Sequence, residues 1–367
     1  MKLNLLTLLP LAAAAVQTAL AATTPIRRDE WPHGPFKTEG NQVKNANGEP
    51  VIFVGTNWPG SGETTIPEGI EFRSIADIVS MMKYVGYNFV RHTYPIQMID
   101  QIYENNGTDI TVQHALLYAL GEDNGTRIME MINKNNPQIT NSTTHLEVYS
   151  MIAEEEKKQG MLMHLDNHIS RAIWCCSHDD GNAWFGDMDF DVSKWHRGHR
   201  YMAEWAKKHS NIVSMSLRNE LRKSAVKPGL EYNWDTWVAN AESLPPVYAD
   251  IANTKFGKAN KAVLELHACP PTKITLPTLL TEFGDAQDSS YGNVTMQKCL
   301  RDFTTKNKIG WAHWSLAGSY RIRQNVVFNN DSWGLTNPTW TEYQSKETVD
   351  GFSRPWIQDM GKTNLEL

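Results

Sequence analysis

Short apolar runs alternate with amphipathic segments along most of this chain, and nearly every apolar run ends in polar side chains. "PVIFVGTNW" (Pro50 to Trp58) reads as a first strand. "SIADIVSMMKYVG" follows with apolar residues at helical spacing, and Ser74 is placed to cap it. "YNFVRHTY" reads as the second strand, and a polar insertion carries the chain from about Glu104 to Thr144. A helix in "HLEVYSMIAEEEKKQG", closed by Gly160, leads to the third strand, "MLMHLDNH". A helix in "DVSKWHRGHRYMAEWAKKH", with Asp191 as its cap, leads to the fourth, "NIVSMSLRNE". "KAVLELH", "TLPTLLTEFG", a helix in "NVTMQKCLRDFTTKN" and the strand "GWAHWSLAGS" complete the pattern. Strands apolar on both faces and separated by helices make a parallel sheet wrapped by helices. Asn57, Arg91, His168, Asn219, Glu220, His267, Glu282 and Trp314 all fall at strand exits, where a (β/α)8 barrel gathers its chemistry. A doubly wound sheet would instead carry a glycine-rich phosphate loop after the first strand, and "GTNWPGSGE" lacks the G-x-G-x-x-G spacing. The expected fold is therefore an α/β (β/α)8 TIM barrel.

At 367 residues the chain suits one large α/β domain or two ordinary ones. A net charge of −6 with no basic run argues against nucleic acid as a partner. Lys2, the apolar "LNLLTLLPLAAAAV" and the small residues of "TALAA" have the layout of a signal peptide over residues 1–22. That apolar run is shorter than the roughly 20 residues a membrane span needs, so no membrane association is expected. Residues 23–367 then form a single barrel domain of a secreted protein, expected to act as a monomer. Sequons at Asn106, Asn124, Asn141, Asn293 and Asn330 fit a secreted glycoprotein. The four cysteines, Cys175, Cys176, Cys269 and Cys299, are expected to be oxidised there, with their pairing left open. No C-x-x-C or H-x-x-x-H spacing accompanies them, so neither a metal nor another cofactor is expected.

Glu220 and Glu282 end two different strands, and strand ends of the fourth and seventh units face each other across a barrel mouth. Two carboxyls about 5–5.5 Å apart suit retaining glycoside hydrolysis. One serves as acid and then base, which calls for a raised pKa; the other attacks the sugar and must stay ionised. Arg91 is placed to hold the nucleophile charged, and Asn219 to bond the sugar 2-hydroxyl. Thirteen tryptophans is a high count; many are core residues, but tryptophans on loops stack well on sugar rings. Trp58 and Trp314 at strand ends, with Trp174 and Trp184 on the loop after His168, are the candidates for such stacking.

"LRNE" and "TEFG" at strand ends, with "LDNH", "ELH" and "GWAHWSLAGSY", resemble glycoside hydrolase family 5, the cellulase family. The likeness runs from about Gly34 to Trp340. "GTNWPGSGE", "LDNHISRAIWCCSHDDGNAWFGD" and "DSWGL" resemble a secreted fungal branch of it. The resemblance implies that Glu220 is the acid/base, Glu282 the nucleophile and Arg91 its support. It also implies that His168, Asn219 and His267 line the sugar site and that Trp314 is the platform at the cleavage point. A polysaccharide or oligosaccharide substrate follows. The implied activity is an endo-β-1,4-glucanase; the alternatives are a catalytically impaired carbohydrate-binding barrel, or a mannanase or exo-glycosidase of the same family.

Two features depart from that pattern. The family has a Tyr soon after the sixth-strand His, whereas "HACPPTK" follows His267 and Tyr320 is too far along to replace it. The interval from Glu220 to Glu282 is also too short for three βα units of about 30 residues each. The barrel is therefore expected to lack its fifth strand and the helix after its sixth, with low stability and weak activity as the consequences.

Overall fold

The structure is a computed structural model that describes residues 34–233, 236, 263–267 and 277–361. The expected signal peptide, Cys269 and nearly all of the helix expected in "NWDTWVANAESLPPVYADIANTKF" lie outside the described residues.

Three short strands come first: β1 (Lys37–Glu39), β2 (Gln42–Lys44) and β3 (Pro50–Val51), paired antiparallel. "PVIFVGTNW" is thus not one strand. Its first two residues belong to this small sheet, and β4 (Val54–Trp58) begins the barrel. The break at Ile52-Phe53 has a local cause. The buried Asn88 side chain donates to Ile52 O at 3.1 Å and accepts from Val54 N at 2.9 Å, so it substitutes for a ladder there. Phe36 and Val43 of this region pack on Val51, Phe53, Phe89, Leu162, Leu279 and Ala312, closing the barrel at the end opposite the strand exits.

The barrel sheet contains β4, β5 (Phe89–Pro95), β6 (Leu162–Ile169), β7 (Ile212–Ser216), β8 (Leu264–Leu266), β9 (Thr278–Leu280) and β10 (Gly310–His313). Every pairing in it is parallel, in the order β7-β6-β5-β4-β10-β9-β8. Among the described residues no ladder joins β7 to β8, so this (β/α)8 barrel is incomplete where the fifth strand was expected to be missing. Strands β5 and β6 are buried throughout, but the middle of β7 is half-buried, as an edge strand would be. Side chains reach across the seam: Ser216 Oγ on β7 donates to Glu265 Oε1 on β8 at 2.6 Å.

The helices form where the caps predict. In α1 (Ile75–Val85), Ser74 accepts from Asp77 N, and Gly86 ends the helix at φ 104°, a left-handed conformation that glycine adopts without strain. Helices α2 (Ile96–Glu104), α3 (Val112–Asn135) and α4 (His145–Lys158) follow. Helix α3 occupies most of the expected polar insertion, kinked at Gly121, and buries Val112, Leu116, Leu120, Ile128 and Ile132. Helix α5 (Val192–Ala206) is capped by Asp191, which accepts from Lys194 N. Helices α6 (Thr295–Asn307) and α7 (Arg354–Met360) cover the last strands, with Trp356 of α7 against Trp311 of β10 at 4.4 Å between rings. A hairpin of β11 (Ser319–Arg323) and β12 (Val326–Asn330) rises beyond β10.

Candidate active site

One buried cation organises the barrel mouth. Neighbouring strands place Asn57, Arg91 and His164 side by side in register, and residues two further along β6 point to the same interior face. Arg91 is fully buried. Its Nη1 donates to Asn57 Oδ1 at 2.7 Å and to Glu282 Oε2 at 3.0 Å, and its Nη2 to Asn219 Oδ1 at 2.8 Å. Asp166 lies 3.1 Å from Nη2, and Glu265 lies 3.7 Å from Nε. Burial disfavours the Arg91 charge, but Asp166, Glu265 and Glu282 outweigh it and hold the guanidinium charged.

The Asp166 carboxyl reaches His168 Nδ1 at 2.6 Å. Burial works against its charge, yet Arg91 and then His168 keep it below the usual carboxylate range. The Asn219 backbone N donates to Asn167 O at 2.9 Å, which extends the β6–β7 ladder and sets Asn219 beside His168. Asn57 Nδ2 donates to Thr281 O at 2.9 Å, and Trp314 N donates to Phe283 O at 2.7 Å. Those bonds fix Glu282 between Arg91 and the strand that carries Trp314.

Glu220 follows at φ 40°, a left-handed backbone for a non-glycine residue, of a kind found where surrounding structure over-determines a functional side chain. His267 joins the two acids: its Nδ1 is 3.1 Å from Glu220 Oε1 and 3.7 Å from Glu282 Oε2. One carboxylate oxygen each of Glu220 and Glu282 and a ring nitrogen of His267 lie within 4.8 Å of one another. The two acids therefore face each other across one cleft.

The electrostatics of Glu220 overturn one expectation. A general acid was expected to have a raised pKa, but the hydrogen bond from His267 holds the Glu220 carboxyl below its ordinary value, against burial. His267 itself is moved upward. Burial opposes its charge, and Glu282 and the bond to Glu220 outweigh burial. The two shifts, Glu220 down and His267 up, both favour placing a shared proton on the His267 side of the pair. His267 lies 3.7 Å from Glu282 Oε2, beyond hydrogen-bond distance, so it does not replace the tyrosine contact that the resemblance implies. Nor does Tyr320, which is buried with its hydroxyl donating to Asp331 Oδ2 at 2.9 Å.

Of the four candidate tryptophans, two border the cleft. Trp314 stacks on His168 at 5.5 Å and 12° between ring planes, and Trp174 meets Trp314 edge-on at 6.3 Å. Trp58 and Trp184 do not border it. Trp58 is fully buried beside His92 with Nε1 donating to Glu68 O, because it follows the inward Asn57 and so points to the opposite face of the strand. Trp184 is buried against Phe185 and Tyr232, with Nε1 donating to Glu231 O.

Three contributors went unrecognised in the sequence. Asp166 aligns both Arg91 and His168. Trp333 is exposed and so close to Gly284 that a Cβ there would stand 3.0 Å from its ring. Glu265 reaches Arg91, His164 at 3.4 Å and Ser216; burial opposes its charge, but these partners keep its carboxyl well below the usual range. A lone acid between two leucines in a short strand was the available signal. Cys175 and Cys176 pair with each other, and both sulfurs lie near Asn219 Nδ2, at 3.7 and 3.6 Å. Cys299 is exposed and unpaired among the described residues.

No family model matches the chain. A glycosyl hydrolase 5 family protein from Chamaecyparis obtusa is 26% identical over 375 residues, covering 86% of this chain and 65% of that protein. The chain is similar to glycosyl hydrolase 5 family proteins. An endoglucanase from Paenibacillus polymyxa is 21% identical, covering 63% of this chain and 50% of that one. The chain thus spans 65% and 50% of the lengths of these two relatives. Among solved structures, an endocellulase from Pyrococcus horikoshii in complex with cellotetraose superposes with a TM-score of 0.64 at 16% identity, over 89% of this chain and 98% of that one. The catalytic domain of the major endoglucanase from Xanthomonas campestris pv. campestris gives 0.60 at 15%, over 89% and 99%. These structural likenesses carry the fold alone, a barrel like that of the endocellulase and endoglucanase domains.

Proposed function

We propose that this chain is a secreted retaining β-glycosidase, acting as an endo-β-1,4-glucanase on cell-wall polysaccharide. The observation that carries this reading is the pair Glu220 and Glu282 facing one cleft with carboxylate oxygens within 4.8 Å, at the short separation that direct attack on the sugar requires. Glu282, ion-paired to Arg91, attacks the anomeric carbon. Glu220 protonates the leaving oxygen with the proton held on His267 and then deprotonates the water that releases the sugar. Asn219 meets the 2-hydroxyl, and Trp314 carries the ring at the cleavage point. The similarity to an endoglucanase and the cellotetraose bound in the Pyrococcus horikoshii endocellulase support a β-1,4-glucan as substrate. Secretion after a signal peptide over residues 1–22, a single domain from residue 23 and a monomeric state remain part of the proposal and rest on the sequence. The fungal-branch expectation rests on its three motifs alone; the relative at 26% identity comes from Chamaecyparis obtusa.

A second reading, a glycan-binding barrel with impaired catalysis, is favoured by the seam between β7 and β8, since Glu220 follows one edge and His267 the other. Kinetics on an aryl β-cellobioside, beside calorimetric binding of cellotetraose, separate the two. Turnover with binding supports the hydrolase, and binding without turnover supports the impaired barrel.

The acid–base triad makes a signed prediction. Because Glu282 and the bond to Glu220 raise His267 above its ordinary value, against burial, kcat/KM is expected to fall as pH rises through that raised value. In His267→Asn the remaining proton sits on a carboxyl, so the basic limb should move down towards the carboxylate range. An unmoved limb would show that His267 is not the proton reservoir. Trp314→Ala should weaken cellotetraose binding by about 1 kcal/mol, the scale of one lost aromatic platform, read by calorimetry; unchanged affinity would remove Trp314 from the sugar site.

A further inference from the structure

Two paired cysteines on the loop after β6 stand against the amide assigned to the sugar 2-hydroxyl. Asn219 is buried, and its neighbours orient that amide. A guanidinium only donates, and Arg91 Nη2 donates to Asn219 Oδ1 at 2.8 Å, so the oxygen faces Arg91 and Nδ2 faces away from it. The contacts of Nδ2 among the described residues are His168 Nε2 at 3.5 Å, Cys175 Sγ at 3.7 Å and Cys176 Sγ at 3.6 Å. Both sulfurs also come within 4.8 Å of a Glu220 carboxylate oxygen. Sulfur is a weak acceptor. The disulfide thus packs against the amide without tying up its N–H groups, which stay available for a hydroxyl.

The loop is held on both sides of the pair. Trp174, immediately before it, lies edge-on to Tyr320 at 5.0 Å between ring centroids and beneath the Arg323 guanidinium at 4.2 Å. Immediately after it, Ser177 O accepts from Arg222 Nε at 2.7 Å, and Nη1 of the same guanidinium donates to Glu220 O at 2.9 Å. The sulfurs are therefore carried on a segment that is tied to the Glu220 backbone. Breaking the bond between them changes what Nδ2 meets. Two bonded sulfurs stand closer than any non-bonded pair can, so on reduction at least one of them shifts. Each thiol also brings an S–H donor towards an amide nitrogen that itself donates.

We propose that the Cys175–Cys176 disulfide is a positioning element for the Asn219 amide, and that its reduction slows hydrolysis by displacing that amide from the sugar 2-hydroxyl. The inference rests on the β-glycosidase reading above. The reduction is an exchange with a dithiol. A thiolate of the reagent attacks one cysteine sulfur, the Cys175–Cys176 bond breaks, and two electrons and two protons leave the cysteines as two thiols while the reagent departs as a cyclic disulfide. Both cysteines are half-buried, so a small dithiol reaches them from the cleft.

The test measures kcat/KM for an aryl β-cellobioside and for its analogue lacking the 2-hydroxyl on the sugar at the reacting centre. Both are assayed with and without dithiothreitol, in wild type and in the double variant Cys175→Ala, Cys176→Ala, with alkylation and peptide mapping to follow the state of the pair. Reduction of the wild type should lower kcat/KM for the parent substrate about 10–100-fold, the scale of a misplaced transition-state contact. The 2-deoxy analogue should be nearly unaffected, because Asn219 has no hydroxyl to meet there. Reoxidation should restore the ratio of the two. The double variant should show the lowered ratio without reductant and no response to it, and it answers if the pair resists reduction. An equal fall on both substrates, no fall in either the reduced wild type or the double variant, or a response to dithiothreitol that persists in the double variant would overturn the positioning role and leave the glycosidase reading intact. A wild type that hydrolyses neither substrate before reduction would remove that reading and the inference together.

Discussion

Replacing Arg91 with methionine is expected to destabilise the protein by about 3–5 kcal/mol at neutral pH, the cost of leaving buried charges without their partner. Arg91 is fully buried and is the cation that Asp166, Glu265 and Glu282 share. Methionine restores the length of the side chain but no charge, so the buried Asp166 and the half-buried Glu265 and Glu282 lose their shared cation. The pH dependence follows from the sign of the shifts. Asp166 and Glu265 are held below their ordinary values in the folded protein. In wild type, then, each contributes stability above its unfolded pKa, and that stability is lost as pH falls through the lower, folded value. Without Arg91 both values rise, and the contribution shrinks. The deficit of Arg91→Met should therefore be large at pH 7 and shrink towards pH 4, where the acids can protonate. Thermal melts at the two pH values check this; a deficit equal at both would mean that Arg91 stabilises through packing alone.

Replacing Glu282 with glutamine should lower turnover by a factor on the order of 10⁴ to 10⁶, the range found when a covalent nucleophile or its activating partner is removed. The amide keeps the volume and still accepts from Arg91 Nη1, which donates to the carboxylate at 3.0 Å in the wild type. It cannot attack the anomeric carbon. Glycan affinity should persist, because Trp314, His168 and Asn219 are untouched. Turnover within tenfold of wild type would remove Glu282 from the nucleophile's role. Glu220→Ala gives the complementary pattern: leaving groups that need protonation should slow by about 10²–10⁴, and activated aryl leaving groups far less.

The barrel and its two acids were legible because most of its strands are apolar runs that end in polar residues. The rim was less legible. Trp184 looked like a sugar platform because it lies on the loop after His168, and Trp58 because it ends a strand, but position along a strand does not say which face a side chain takes. Alternation does: Asn57 points inward to Arg91, so Trp58 points out to His92. Glu265 was hidden for the converse reason, as one acid in a short apolar strand. The ionisation of Glu220 was not legible at all. It depends on His267 arriving from β8, across a seam at which the chain is shorter than a complete barrel needs.

The most direct test of the account is the mass of the intact protein after incubation with an activated 2-deoxy-2-fluoro β-cellobioside, followed by peptide mapping. The account predicts an added mass of one fluorocellobiosyl unit, mapped to the peptide that carries Glu282. Turnover of an ordinary aryl β-cellobioside with no such adduct, or an adduct on Glu220, would contradict it.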